Sequence, residues 1–168
     1  LEPLTDTWKG IFVLNATKES NLKNVVIQNI TALEDSLLRL TGGITFYKSD
    51  VNFDQVTIKD VKAEDAINIV ESNFNMHLVY INNTTSDGLD SDFSEGSILN
   101  SNFSNINGDA LDFSGSNVEI DKVIITNVRD KGISGGEKSI INIRNSTLNS
   151  KKTFYTPKGK ESAKEILS

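Results

Sequence analysis

Ser86-Asp87-Gly88-Leu89-Asp90 returns 22 residues later as Gly108-Asp109-Ala110-Leu111-Asp112. The same order of acid or lysine, tiny residue, then Ile or Leu stands 22 residues before it at Asp65-Ala66-Ile67 and 22 residues after it at Lys131-Gly132-Ile133. A fixed period of this length marks a solenoid, because each repeat has one apolar face that only the next repeat can cover.

A second series runs in phase with the first. Asn83, Asn105, Asn127 and Asn149 each lie four residues before a repeat start. Asn tolerates the left-handed backbone better than other non-glycine residues, so this phase predicts corners where the chain leaves one strand for the next. Stacked amides can also bond to one another along the axis, as they do in cross-β ladders.

Between corners the residues alternate apolar and polar, as in Val118-Glu119-Ile120 and Phe74-Asn75-Met76-His77-Leu78. That is the period of half-buried strands. A repeat of 22 residues leaves no room for a crossover helix, so the reading is all-β: a parallel β-helix, right-handed by the chirality rule for parallel connections. Lys9-Gly10-Ile11 and Asp35-Ser36-Leu37 repeat the start motif with insertions, and the excess in the second is placed at Thr41-Gly42-Gly43, where glycines let a loop leave the coil. About six coils at roughly 4.8 Å each make a stack on the order of 30 Å tall.

Composition fits a single β-helix domain over 1–152, with 37% apolar residues, two prolines and no cysteine. Without cysteine there is no disulfide framework and no thiolate metal site. No apolar run approaches a membrane span, and no signal peptide is recognisable. Leu1 in place of Met is expected of a processed form or a piece of a longer chain with an upstream segment. Terminal coils expose strand edges and need closing. Residues 153–168, with Pro157 and Gly159 followed by helix formers over Lys160–Leu167, are expected to form a short cap helix or a tail.

Any chemistry belongs on the outside of the coils. If Leu89 and Leu111 point inward, Asp90 and Asp112 point outward, between Asn68 and Ser134, with Asp92 two residues further along. Asp87, Asp109 and Lys131 form the start column, and the small residues Gly10, Ser36, Ala66, Gly88, Ala110 and Gly132 are expected to leave a shallow trough. Two carboxylates about 5 Å apart repel by roughly 3 kcal/mol at an effective dielectric near 20. Such a column therefore needs a shared proton, a cation or a lysine. Three readings stay open: a solvated structural column satisfied by turn amides and Lys131; a calcium site made by Asp87, Asp90, Asp92, Asp109 and Asp112; or catalytic carboxylates at glycosidase spacing.

The stretches Thr85-Ser86-Asp87-Gly88-Leu89-Asp90, Gly108-Asp109-Ala110-Leu111 and Asp130-Lys131-Gly132-Ile133-Ser134 resemble the three active-site coils of polygalacturonase-type glycoside hydrolases. In that family these coils read Asn-Thr-Asp-Gly, Asp-Asp-Cys and Gly-His-Gly-Ile-Ser. The resemblance covers about residues 83 to 136 and carries over Asp87 and Asp109. The chain departs from it at Gly108, where the family has an acid, and at Lys131, where it has a histidine; the downstream Arg-Ile-Lys is missing. A second resemblance, through Trp8-Lys9-Gly10-Ile11, Gly108 to Ser116 and Asp130 to Glu137, is to uncharacterised bacterial surface proteins with parallel β-helix repeats. It implies an extracellular or cell-surface location and leaves activity open.

His77, the single histidine, reads as an exposed strand residue. The sequons at Asn15, Asn29 and Asn83 follow from Asn-rich corners next to Ser and Thr. Tyr47, Tyr80 and Trp8 could stack on sugar rings or pack at coil edges. A net charge of −6 without a basic stripe disfavours nucleic acid, and disfavours bare anionic polysaccharide unless calcium bridges the two. The expectation is an exported, non-catalytic scaffold or carbohydrate-contacting module, with Asp90, Asp92 and Lys131 as binding residues. The alternative is a polysaccharide hydrolase or lyase using Asp87, Asp109 and Asp112.

Overall fold

Alternation at period two and a corner every few residues produce three short strands per repeat. The computed structural model describes residues 6–33, 40–152 and 164–167. They form a right-handed parallel β-helix, and no helix occurs among the described residues. One sheet stacks β1 (Ile11–Leu14), β3 (Gly42–Tyr47), β5 (Asp65–Val70), β8 (Asp87–Asp92), β11 (Leu111–Ser114) and β14 (Ile133–Gly135) in that order. Its six strands span five full turns.

The other two faces form one continuous sheet, because β2 (Ser20–Thr31) and β4 (Val51–Lys62) run round a bend without breaking. From the first half of β4 the stack continues through β6 (Asn73–His77), β9 (Glu95–Leu99), β12 (Asn117–Asp121), β15 (Ile140–Arg144) and β17 (Lys164–Leu167). From its second half it continues through β7 (Tyr80–Thr84), β10 (Asn102–Ile106), β13 (Ile124–Lys131) and β16 (Thr147–Lys152).

Register places like over like. Ile44, Ile67, Leu89, Leu111 and Ile133 are consecutive partners on the first face, and Phe53, Met76, Ile98, Ile120 and Ile143 on the second. On the third face the column is Ile27, Ile58, Ile81, Phe103 and Ile125. All are buried and form one core. Phe46 and Phe53 meet edge to face at 5.8 Å between centroids, tying two faces together.

Corners are left-handed by column. Asn15, Lys48, Glu71, Phe93, Gly115 and Lys138 have positive φ at the first bend, and Asn24, Gln55, Leu78, Asn100, Lys122 and Asn145 at the second. Asn29, Asp60, Asn83, Asn105 and Asn127 have it at the third. The expected Asn column is thus a corner column, but it lies outside: Asn83, Asn105 and Asn127 are exposed. Asn83 Nδ2 donates to Asp60 Oδ1 at 2.6 Å, and Asn127 Nδ2 donates to Asn105 Oδ1. Asn149 leaves the column because β13 and β16 slip register there.

A ladder that sequence reading missed is interior and made of serine. Ser49, Ser72, Ser94, Ser116 and Ser139 each follow a first-bend corner and are buried. The backbone N–H of Ser49 donates to Ser72 Oγ at 2.8 Å, that of Ser72 to Ser94 Oγ at 3.1 Å, and that of Ser94 to Ser116 Oγ at 3.1 Å. The hydroxyls of Ser49, Ser72, Ser94 and Ser116 in turn donate to the carbonyl two residues back, such as Val70 O and Asp92 O, and that of Ser139 donates to Phe113 O on the preceding coil. The ladder supplies acceptors for N–H groups that the bend removes from the strand pairing.

Three expectations change. Gly42 pairs with Asp65 and Ile44 with Ile11, so the coil start is Gly42-Gly43-Ile44 and the inserted residues precede the glycines. The start at Asp35–Leu37 lies outside the described residues. Lys164–Leu167 is a strand paired in parallel with β15 where a cap helix was expected, so its backbone extends the sheet edge; 153–163 lies outside the described residues. Finally, Ala66, Gly88 and Ala110 are buried against the coil above and do not floor a trough: a Cβ on Gly88 would stand 2.5 Å from Ala110 O.

Candidate functional site

Leu89 and Leu111 face the core, so strand alternation turns their neighbours outward. Asn68, Asp90, Asp112 and Ser134 are consecutive partners on the outer face of the first sheet, as expected. Val70, Asp92 and Ser114 form the next column. Asp65 pairs with Asp87 at the strand starts, with Asp109 and Lys131 in line on the following coils. Asp65, Asp87, Asp90, Asp92, Asp109, Asp112 and Lys131 thus share one acidic strip.

The two start-column acids clasp the coils. Asp87 Oδ1 accepts the backbone N–H of Asp109 at 2.9 Å, and Asp109 Oδ1 accepts that of Lys131 at 3.0 Å. Asp109 Oδ2 meets Lys131 Nζ at 2.6 Å in a largely buried ion pair. Position 108 must be glycine, since a Cβ there would lie 1.8 Å from Asp87 Oδ1.

Burial sets the charge of the rest. It pushes Asp65 up to about 7 against a hydrogen bond from Thr41, with Asp87, Glu64 and Asp112 adding to the rise. Burial also raises Asp90 to about 8, helped by Asp65 and Asp92, and Asp87 to about 6 against the Asp109 N–H. Asp92 and Asp112 shift upward for the same reason. Burial pulls the Lys131 ammonium down, but Asp109, Asp130 and Asp112 outweigh it and hold it above the usual lysine value. The strip therefore relieves its crowding with protons and one lysine.

Asp65, read in the sequence only as a repeat start, is the most buried of these acids at 3% exposure. Its Oδ2 is buried without a hydrogen-bond partner among the described residues. Asp109, two coils on at the equivalent place, is nearly as deep at 5% exposure, so depth belongs to the strand start, a feature that period alone does not show. Among the described residues no three acids or histidines converge to hold a metal ion. Asn68 Nδ2 donates to Asp90 Oδ2 at 3.1 Å, one of the few donors on the strip.

The weaker candidates scatter. His77 is half exposed on β6, with Nδ1 3.1 Å from Asp54 Oδ1, while Asp54 Oδ2 meets Lys23 Nζ at 3.0 Å. Trp8 donates its indole N–H to Gln28 O, Tyr80 is exposed on the third face, and Tyr47 lies under the Lys48 ammonium. Tyr47 pairs with Val70 and so stands in line with the Asp92 column, whereas His77 and Tyr80 lie on the other two faces. Set against known proteins, the chain matches no family model and no curated protein. No helix among the described residues is long and apolar enough to cross a membrane.

Proposed function

We propose that this chain is a non-catalytic, exported β-helix scaffold that contacts polysaccharide on its outer faces. One observation carries the non-catalytic part. The two acids that resemble the polygalacturonase pair are both engaged in the clasp, Asp87 by the Asp109 N–H and Asp109 by the Lys131 N–H and ammonium. Glycoside cleavage needs a proton donor and a second free carboxylate, and the donor position is Gly108. Extracellular display rests on the resemblance to bacterial surface proteins.

The raised values of Asp65 and Asp90 favour the hydrolase or lyase alternative, because a carboxyl that keeps its proton near neutrality can act as a general acid. One assay separates the readings: purified protein is incubated with polygalacturonate and with neutral polysaccharides, and new reducing or unsaturated ends are counted. The scaffold reading expects none above background. Ends that accumulate with wild type and vanish with Asp87→Asn or Asp109→Asn establish the enzyme instead.

A further inference from the structure

Phe93 stands where every other member of its corner column is polar or glycine: Asn15, Lys48, Glu71, Gly115 and Lys138. It holds φ at 51°, a strained setting for a bulky side chain, and is 66% exposed, so the core gains little from it. Its ring is nonetheless braced. A Cβ on Gly115 of the following coil would come within 2.6 Å of Phe93 Cδ1 and 2.8 Å of Cε1. Gly115 is the only glycine among the described corner residues of that column, so Phe93 and Gly115 read as a matched pair that fixes an aromatic ring at the surface.

Toward the preceding coil the ring borders a cleft of about 620 Å³ lined by Glu71, Ser72, Asn73 and Glu95. This cleft is rich in acceptors. Glu71 is paired with Lys48 at 3.4 Å, and the Asn73 amide donates to Asp50. The Glu95 backbone pairs with β6 and β12, while its carboxylate makes no hydrogen bond or ion pair among the described residues. An exposed ring packed over Gly115, beside a carboxylate with no cation paired to it, suits a ligand with an apolar face and a cationic donor, since a cation is drawn to both the ring and the acid.

We propose that Phe93, Asn73 and Glu95 form a binding site for a pyranose unit bearing a free amine, the ring stacking on the sugar and Glu95 receiving the ammonium. This rests on the carbohydrate-contacting reading and gives it a place and a ligand class, at the bend that follows Asp92, next to that end of the acidic strip.

Amide NMR and calorimetric titrations with glucosamine oligosaccharides, their N-acetylated counterparts and a lysine oligomer test it. Expected are shifts centred on residues 71–73 and 93–95, affinity for the free-amine sugar that falls with salt, and weaker binding of the other two probes. Phe93→Asn, which suits the backbone, should melt no lower than wild type yet bind roughly tenfold more weakly. Glu95→Gln should abolish the preference for the free amine. Equal binding of the lysine oligomer at the same residues, or wild-type affinity in Phe93→Asn, overturns the site. In the latter case sugar binding elsewhere leaves the carbohydrate-contacting reading standing. Absence of binding to any oligosaccharide defeats both.

Discussion

Asp87 Oδ1 occupies the space where a side chain at position 108 would have to begin, 1.8 Å from an ideal Cβ on Gly108. The glycine that departs from the hydrolase pattern is thus the condition for the clasp between Asp87 and the Asp109 N–H. The Asp87 backbone N and Ser86 C stand 2.9 Å from the same point, so moving one side chain does not open the site.

Gly108→Ala is expected to destabilise the fold by about 1–3 kcal/mol through overpacking. Gly108→Asp, which would restore an acid pair, is expected to cost at least as much and to create no hydrolytic activity. Urea unfolding midpoints check the first; a midpoint equal to wild type would show that the backbone has room to shift.

Ser94→Ala removes the acceptor of the Ser72 N–H and the donor to Asp92 O in a buried bend. A loss of about 1–3 kcal/mol is expected, with faster hydrogen exchange at the Ser72 amide. Asn105→Gly on the exposed ladder, by contrast, should be nearly neutral, since glycine accepts the left-handed backbone. Equal losses at both sites would mean that the outer ladder matters as much as the inner one.

How much of this could be read beforehand follows from what repeats. Leu89, Leu111 and Ile133 recur at a constant period beside outward acids, so inside, outside and the strip of Asp90 and Asp112 were legible. Asn83 and Asn105 announced a corner, but exposure depends on which way the amide points, and period does not encode that. The serines at 49, 72, 94, 116 and 139 recur at steps of 22 or 23 and are a signal in the sequence, but serine reads as a surface residue and its burial does not show there. The longer coil before it makes Gly42 read as part of an insertion, and only pairing with Asp65 fixes its register. The clasp at Asp87 stayed hidden because hydrogen bonding between coils is a property of coordinates.

Leu111→Ala should cost about 2–5 kcal/mol, because the side chain is fully buried between Leu89 and Ile133. Asp112→Asn beside it should be neutral or stabilising at pH 7, since it removes a charge that burial disfavours. Denaturant titrations of both variants decide this, and a reversal of the two effects would put the sheet in the opposite register.

Stability should fall as pH rises. Asp65, Asp87 and Asp90 have folded values of about 7, 6 and 8, above the unfolded carboxyl value near 4. Across that window the folded chain holds protons that the unfolded chain has released, so the slope of stability with pH is negative and flattens at either end. Melting temperatures from pH 4.5 to 8.5 should decline, and Asp65→Asn should reduce the decline and raise the value at pH 8. A profile that rises toward pH 8 would show these acids ionised and paired in the folded state.

The near-identity of the coils has a cost in fidelity. A chain that slipped by one whole repeat during folding would find serine under serine and leucine under leucine again, so the ladders alone cannot tell the correct partner from the next one. What can tell them apart are the unlike pairs: Phe93 with Gly115, and Phe74 with Gly96, whose absent Cβ would stand 2.6 Å from that ring. A one-repeat slip would drive those rings into side chains. The irregular residues therefore act as an address system, giving each coil a single permitted neighbour in a stack that would otherwise be interchangeable.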